Sequence, residues 1–400
     1  MTDGEGPLKG VTVVEAGSLI AGPFCGQLLA DLGATVIKVE PPGSGDPFRA
    51  WGPHNEAGDG VWWSSLARNK RSITCNLRTV GGQGVLRDLC LRADVLIENF
   101  RPGTLSRWNL PPEQLLEENP RLIVAHVSGF GQTGPYSSRP GYASIGEAMA
   151  GFRDLVGYPD RPPVRVGLSL GDSLAGVFSC VGVLAALHER EASGRGQEID
   201  TSIYESVLAL TESLLGDYAL FDIIRQRSGP VLPGIAPSNA YQAADGLSVI
   251  VAANQDTVFS RLSEAIGQPD LATDPRFSDH GARGSHMAEL DAIISNWTGK
   301  HSARRIIELL TQAGVPAGAI NRAPEILSDN HIKERGSVAW IEDVSLGNVP
   351  MPNVVPRLSR TPGKIRWTGP ALGQHTDEVL HGLLGYDHER IETLRLAGEI

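Results

Sequence analysis

Short apolar runs alternate with stretches of helical period along the first half of the chain. The runs at residues 10–16 and 34–40 are rich in β-branched residues, and residues 20–33 between them have helical period. Strands that are apolar on both faces are typical of a parallel sheet covered on both sides. Two further strands are predicted at 93–100 and 121–131, separated by a helical segment. This alternation predicts an α/β fold with a large, doubly wound, Rossmann-like domain.

The pattern changes after residue 200. A strand and a long helix are predicted over residues 194–221, followed by a polar segment rich in glycine and proline at 225–246. A strand and three helices then predict a smaller α+β domain. From about residue 332 repeated prolines predict an extended chain, because proline is excluded from central strands, and a last helical tail is predicted from Thr376. The expected organisation is a large α/β domain over 1–200, a linker helix over 201–230, a small α+β domain over 231–330, and a return segment over 331–400 that completes the large domain.

The charge is distributed unevenly along the 400 residues. The formal net charge is −11, which argues against non-specific binding to nucleic acid or to an anionic membrane. Residues 1–110 nevertheless carry 11 basic and 11 acidic side chains, so the excess of acid lies entirely after them. Residues 61–110 hold eight basic side chains and three acidic ones, and a small polyanion could bind there. The eight are Arg68, Lys70, Arg71, Arg78, Arg87, Arg92, Arg101 and Arg107.

Several classes of protein are disfavoured by what the sequence lacks. The four cysteines have neither paired nor metal-binding spacing, so no disulfide framework and no metal site are predicted. The first turn after a strand reads EAGSLIAGP rather than GxGxxG, which weighs against an NAD-dependent dehydrogenase. The N-terminus does not resemble a signal peptide, and the longest apolar run, Leu174–Leu187, is shorter than the ~20 residues that span a bilayer. A soluble, cytoplasmic protein is therefore expected.

Asp172 lies where a polar loop is followed by a segment of helical period. The free N–H groups and the positive dipole end at the start of a helix keep a carboxylate ionised and oriented. Taken alone, this stretch favours a capping role for Asp172 or Ser173, since aspartate and serine are common N-cap residues. A catalytic role for Asp172 requires support from the rest of the chain.

Several stretches together resemble the family III CoA-transferases, a superfamily that also contains α-methylacyl-CoA racemase. Each stretch alone is a weak signal, but the set covers most of the chain in the order of the family. The stretches are VVEAGSLIAGPFCGQLLADLGATVIKVEPPGSGDPFR, NKRSITCNL, ADVLIENFRPGTLSRWNL, VSGFGQTGPYSSRPGYA, GDSLAGVFSCVGVLAALHEREASGRGQEID and LGQHTDEVL.

The resemblance implies that Asp172 is a covalent nucleophile and that CoA thioesters are substrates, with no permanently bound cofactor. Arginine suits CoA, because its forked, permanently charged guanidinium matches phosphate groups. Gly234 falls in the region that corresponds to the lid over the substrate. The implied CoA contacts are Ile20, Ala21, Cys75, Asn76, Leu77, Arg78, Asn99, Phe100, Arg101, Arg107, Arg139 and Tyr142.

The resemblance also bears on the substrates. Tyr142 stands where the racemase branch has a catalytic histidine, which favours transfer over proton exchange at the α-carbon. The region around Gly234 lacks the glycine run of formyl-CoA transferases. The chain looks most like the branch that uses succinyl-CoA as donor and a dicarboxylate such as malate or citramalate as acceptor. A racemase or isomerase, and a non-catalytic acyl-CoA-binding protein, remain alternatives.

Two further expectations follow from the same resemblance. The family implies an interlocked homodimer, in which the two chains thread through each other. A dicarboxylate acceptor would also need a cationic partner, and the candidates near the predicted lid are Arg49, Arg225 and Arg227, which the sequence does not rank.

Overall fold

The computed structural model describes residues 5–58 and 60–400. They form two compact units, each built from separate stretches of chain. The large unit comprises the described residues of Met1–Phe152 together with Arg165–Gly216 and Glu334–Ile400. The small unit comprises Arg153–Val164 and Asp217–Lys333. Residues 153–164, which fall inside the predicted large domain, thus group with the small unit.

A six-stranded parallel sheet forms the centre of the large unit. Its strands are β1 (Thr12–Glu15), β2 (Thr35–Glu40), β3 (Lys70–Thr74), β4 (Val95–Glu98), β5 (Ile123–Ser128) and β6 (Glu198–Ser202). The strand order is β3-β2-β1-β4-β5-β6, which is that of a Rossmann sheet, and all neighbours are parallel. The predicted α/β class with a parallel sheet is confirmed. The order reverses between β1 and β4, and ligands of such sheets bind beside this reversal.

Helices cover both faces of the sheet. Val13 and Val14 are adjacent in β1 and point to opposite faces, yet both are fully buried, one in each of the two main apolar clusters. Burial of each such side chain stabilises the fold by roughly 1.5–3 kcal/mol. The helices as far as residue 221 are α1 (Ala21–Asp31), α2 (Val61–Leu66), α3 (Val80–Cys90), α4 (Thr104–Arg107), α5 (Pro112–Glu118), α6 (Ala143–Met149), α7 (Phe152–Leu155), α8 (Leu170–Ser193), α9 (Ile203–Leu208) and α10 (Leu214–Phe221).

Helix α8 is longer than the sequence pattern indicates, because it begins before the apolar run that starts at Leu174. Among residues 5–58 and 60–400 it is the one helix long and apolar enough, by length and composition, to cross a membrane. It packs against α1, β5 and β6, which accounts for its buried apolar side.

The predicted linker helix over 201–230 is not a single helix. The segment contains the end of β6, the short helix α9 and then α10. Between the two helices Glu212 has a left-handed backbone with φ of 53°, which no helix accommodates. The apolar spacing that predicts one helix here belongs to two helices separated by a turn.

The small unit contains a three-stranded antiparallel sheet with strand order β7-β8-β9. Its core includes Phe259, Leu262, Ile294 and Ile306, all buried. Gly234 lies in this unit, in a turn with φ of 79°. The elements are β7 (Ser238–Gln242), β8 (Ser248–Ala252), β9 (Ala317–Ala319), α11 (Asp256–Ala265), α12 (His280–Ser285), α13 (Met287–Thr298), α14 (Ala303–Gln312), α15 (Ala323–Ser328) and α16 (Asn330–Arg335).

The C-terminal segment returns to the large unit. It contains an antiparallel pair, β10 (Val338–Asp343) and β11 (Gly347–Pro352), followed by α17 (Thr376–Gly382) and α18 (His388–Leu396). The prolines of β11 are tolerated because this two-stranded pair has only edge strands. Helices α17 and α18 contribute Val379, Leu380 and Ile391 to the apolar cluster on one face of the six-stranded sheet.

Candidate active site

A cavity of about 540 Å³ lies in the large unit at the carboxyl ends of β1, β4 and β5. This position is beside the reversal of strand order, where α/β sheets bind their ligands. Ala21, Val127 and Ile203 line it and belong, with Ala175, to one buried apolar cluster. The predicted site residues that line the cavity together are Ile20, Ala21, Asn99, Phe100, Arg101, Arg139, Tyr142 and Asp172.

Five predicted CoA contacts lie outside the lining of this cavity, namely Cys75, Asn76, Leu77, Arg78 and Arg107. Cys75 is buried, and its Sγ donates to the Gly82 carbonyl at 3.2 Å. Burial raises the pKa of this thiol to about 12, so it stays neutral. Arg107 is exposed and donates to Thr104 Oγ1 at 2.7 Å. Any contact of these five residues with CoA therefore has to be made beyond the cavity itself.

The turn between β1 and α1 is held by side chains from elsewhere in the large unit. Leu19 has a φ of 65°, and its N–H donates to both carboxylate oxygens of Asp46, at 3.0 and 3.2 Å. Lys38, fully buried, pairs with Asp46 at 2.7 Å. The Asn99 amide accepts from the Ser18 N–H and donates to the Ser18 carbonyl, both at 2.7 Å. Asn99 thus shapes the cavity wall by fixing this turn, so its amide is already engaged.

The basic segment 61–110 is less open to ligands than its composition suggests. Arg68 is buried and pairs with Asp31 at 2.6 Å. Lys70 is buried and pairs with Glu15 at 2.8 Å. Neither cation belongs to a solvated surface, and neither is available to a phosphate. Within this segment it is Arg101 that lines the cavity.

Asp172 is the third residue of α8 and not its N-cap, which is Ser169. The prediction that Asp172 or Ser173 caps this helix is therefore wrong, because the helix begins about one turn earlier. The half-buried Asp172 carboxylate instead accepts a hydrogen bond from the Ala143 N–H, at the first residue of α6. The start of α6 thus meets the first turn of α8 at this carboxylate, and the Ala143 N–H contributes partial positive charge there.

The electrostatic surroundings raise the pKa of Asp172 to about 6. Burial is the main cause, and the charge of Glu147 adds to it, whereas Arg165 and the Ala143 N–H act in the opposite direction. Glu147 is fully buried, and its Oε1 accepts from the Gly171 N–H at 3.4 Å. Asp172 is consequently ionised at neutral pH but poorly solvated, which suits a nucleophile.

Two residues of this arrangement were not predicted from the sequence, Glu147 and Arg165. Glu147 follows Ala143 by four residues, so both face the same side of α6. That spacing becomes informative only once the first residue of α6 is known to contact Asp172. Arg165 lies in a loop, where no periodicity marks the direction of a side chain.

The three arginines predicted as acceptor contacts do not line this cavity, and each is engaged by a carboxylate. Arg49 pairs with Glu40 at 2.7 Å and stacks on Trp63, with 3.7 Å from its guanidinium carbon to the ring centre. In the small unit, Arg225 pairs with Asp217 at 2.6 Å. Arg227 pairs with Asp154, also at 2.6 Å.

Comparison with known proteins identifies the family of this chain. The family model described as CoA-transferase family III matches residues 8–376. The chain is 54% identical to a succinyl-CoA–D-citramalate CoA-transferase of Chloroflexus aurantiacus over 389 residues, 97% of each chain. It is 41% identical to the beta subunit of a succinyl-CoA–L-malate CoA-transferase of the same organism, also over 97% of each chain.

A solved structure supports the same assignment. A CAIB/BAIF family protein from Brucella suis superposes with a TM-score of 0.84 at 35% identity, covering 95% of this chain and 100% of that one. The predicted family is confirmed, and with it the α/β fold and the transfer of CoA as the class of activity. This chain therefore belongs to CoA-transferase family III.

Proposed function

We propose that this chain transfers CoA from succinyl-CoA to a second dicarboxylate, such as citramalate or malate, with Asp172 as the nucleophile. The observation that carries the proposal is the position of Asp172 in a cavity lined by several segments that correspond to the CoA contacts of the family. The names of the two Chloroflexus aurantiacus relatives support the choice of donor and acceptor.

The reaction begins when an Asp172 oxygen attacks the thioester carbonyl carbon of succinyl-CoA. The carbon–sulfur bond breaks, which leaves a mixed anhydride on Asp172 and a CoA thiolate. The thiolate then attacks the Asp172 carbonyl carbon, so that free succinate departs and an aspartyl-CoA thioester remains. The acceptor carboxylate repeats these steps in reverse. Each step exchanges one activated acyl group for another, so no ATP is consumed.

The surroundings of Asp172 suit this chemistry. The apolar cluster of Ala21, Val127, Ala175 and Ile203 limits access of water, which would hydrolyse the anhydride. The Ala143 N–H at the start of α6 would stabilise the negative charge that develops on the Asp172 carbonyl oxygen. Tyr142 lies in the lining where the racemase branch has histidine, and a phenol is a poor base at neutral pH.

We also propose that the chain acts as an interlocked homodimer. Helix α8 carries an apolar side that the single chain leaves exposed, with Val177, Phe178 and Val181 at 40%, 39% and 56% exposure. A contiguous apolar helix face is a typical interface. Light scattering should therefore give twice the 42.6 kDa mass of the chain, and a monomer at working concentrations would contradict the proposal.

The decisive experiment traps the intermediate. The protein is incubated with succinyl-CoA, treated with hydroxylamine and digested, and the peptide that contains Asp172 is examined by mass spectrometry. Hydroxylamine converts an activated aspartyl group into a stable hydroxamate, which we expect on Asp172 and not in samples without donor. If Asp172 stays unmodified across a broad set of acyl-CoAs, covalent transfer is excluded. Deuterium uptake at the α-carbon would then point to a racemase.

A further inference from the structure

Arg165 places a positive charge on the wall of the cavity that contains Asp172. Its Nη2 donates to Ser169 Oγ at 3.4 Å, and Ser169 is the N-cap of the helix that carries Asp172. This contact directs the guanidinium towards the reacting end of the cavity. The side chain is otherwise exposed, so that it can meet a ligand without breaking an existing structure.

Arg165 differs from the other basic residues around the site. Lys38 and Arg49 are occupied by carboxylates, whereas Arg165 forms no ion pair with any of residues 5–58 and 60–400. Arg101 and Arg139 also line the cavity, but they lie in segments that correspond to CoA contacts of the family. The guanidinium of Arg165 therefore lies close to the nucleophile, and no part of CoA is expected to pair with it.

We propose that Arg165 binds the distal carboxylate of a dicarboxylic acyl group whose other end reacts at Asp172. This inference rests on the proposed function and deepens it by naming the residue that selects dicarboxylates. A dicarboxylic acid joined to CoA keeps one free carboxylate, and a guanidinium binds a carboxylate through two parallel hydrogen bonds. Donor and acceptor occupy the same position in turn, so one arginine serves both.

Binding measured without turnover tests the proposal. In Asp172→Asn protein, which is not expected to react, dissociation constants are measured by calorimetry for succinyl-CoA and for butyryl-CoA. These ligands share CoA and a four-carbon acyl chain, and they differ in having a carboxylate or a methyl group at the end. Adding Arg165→Gln should weaken succinyl-CoA binding about 10- to 100-fold and leave butyryl-CoA binding unchanged. Arg165→Lys should retain part of the preference.

Controls separate this role from others. Arg161→Gln removes an exposed charge from the same loop outside the cavity and should alter neither dissociation constant. Equal weakening of both ligands by Arg165→Gln would place Arg165 on CoA itself and overturn the proposal, and so would no weakening at all. Unchanged melting temperatures confirm that the variants fold.

The test also separates this proposal from the proposed function. If the native protein fails to transfer CoA, the transfer hypothesis fails, but the difference between succinyl-CoA and butyryl-CoA still decides the role of Arg165. The native protein could instead transfer CoA while Arg165→Gln changes the dissociation constants of both ligands equally. In that case only the inference about Arg165 is wrong.

Discussion

Asp172→Asn is expected to lower kcat for CoA transfer by about 10⁴-fold or more, as removal of a covalent nucleophile does in other enzymes. The amide cannot attack the thioester, so neither the anhydride nor the aspartyl-CoA thioester forms. The asparagine oxygen can still accept from the Ala143 N–H, which keeps the junction of α6 and α8 intact. The measurement is the initial rate of acceptor-CoA formation from succinyl-CoA by liquid chromatography.

A matched change shows whether the effect is specific to this carboxylate. Asp160→Asn removes an exposed aspartate of the small unit and should leave the rate unchanged. The melting temperature of Asp172→Asn should not fall, because the substitution removes a half-buried charge beside the buried Glu147. A variant that keeps more than about a tenth of native kcat would rule out Asp172 as nucleophile.

The main elements of the large unit were predictable because their patterns are local. The apolar runs at 10–16 and 34–40 contain β1 and β2, and the helical period of residues 20–33 contains α1. Strand β3 gives no such signal, since it reads KRSIT. Its first residue, Lys70, is buried, and its ammonium group pairs with Glu15 of β1 and donates to the Pro23 carbonyl. A pairing between residues 55 positions apart leaves no trace in the periodicity of either segment.

The site was predictable only where the family resemblance reaches, and that resemblance specifies residues rather than their partners. It identifies Asp172 and Asn99 as candidate site residues. It does not predict the hydrogen bond between Ala143 and Asp172, or those between Asn99 and Ser18. Charged residues in a sequence favour a solvated surface by default. Glu147 is an exception, because it is buried where α6 packs against α8 and α9.

Glu147→Gln is expected to shift the acid limb of the pH profile to lower pH. Because Asp172 is proposed to react as a carboxylate, kcat/KM of the native protein should fall about tenfold per pH unit below a pKa of about 6. The negative charge of Glu147 helps to raise that pKa, and glutamine removes the charge while its oxygen can still accept from the Gly171 N–H. A fall of about one pH unit would raise kcat/KM at pH 5 about fivefold over the native value. The measurement is kcat/KM for succinyl-CoA between pH 4.5 and 8.

The direction of the shift separates an electrostatic role of Glu147 from a structural one. A merely structural loss would lower kcat/KM at every pH without moving the acid limb. Loss of the charge would move the limb and change kcat/KM little above pH 7, because Asp172 is ionised in both proteins there. Glu189→Gln removes an exposed acid from the far end of α8 and should leave the limb in place. A limb that moves to higher pH in Glu147→Gln would contradict the assignment, because it would mean that Glu147 favours the ionised form of Asp172.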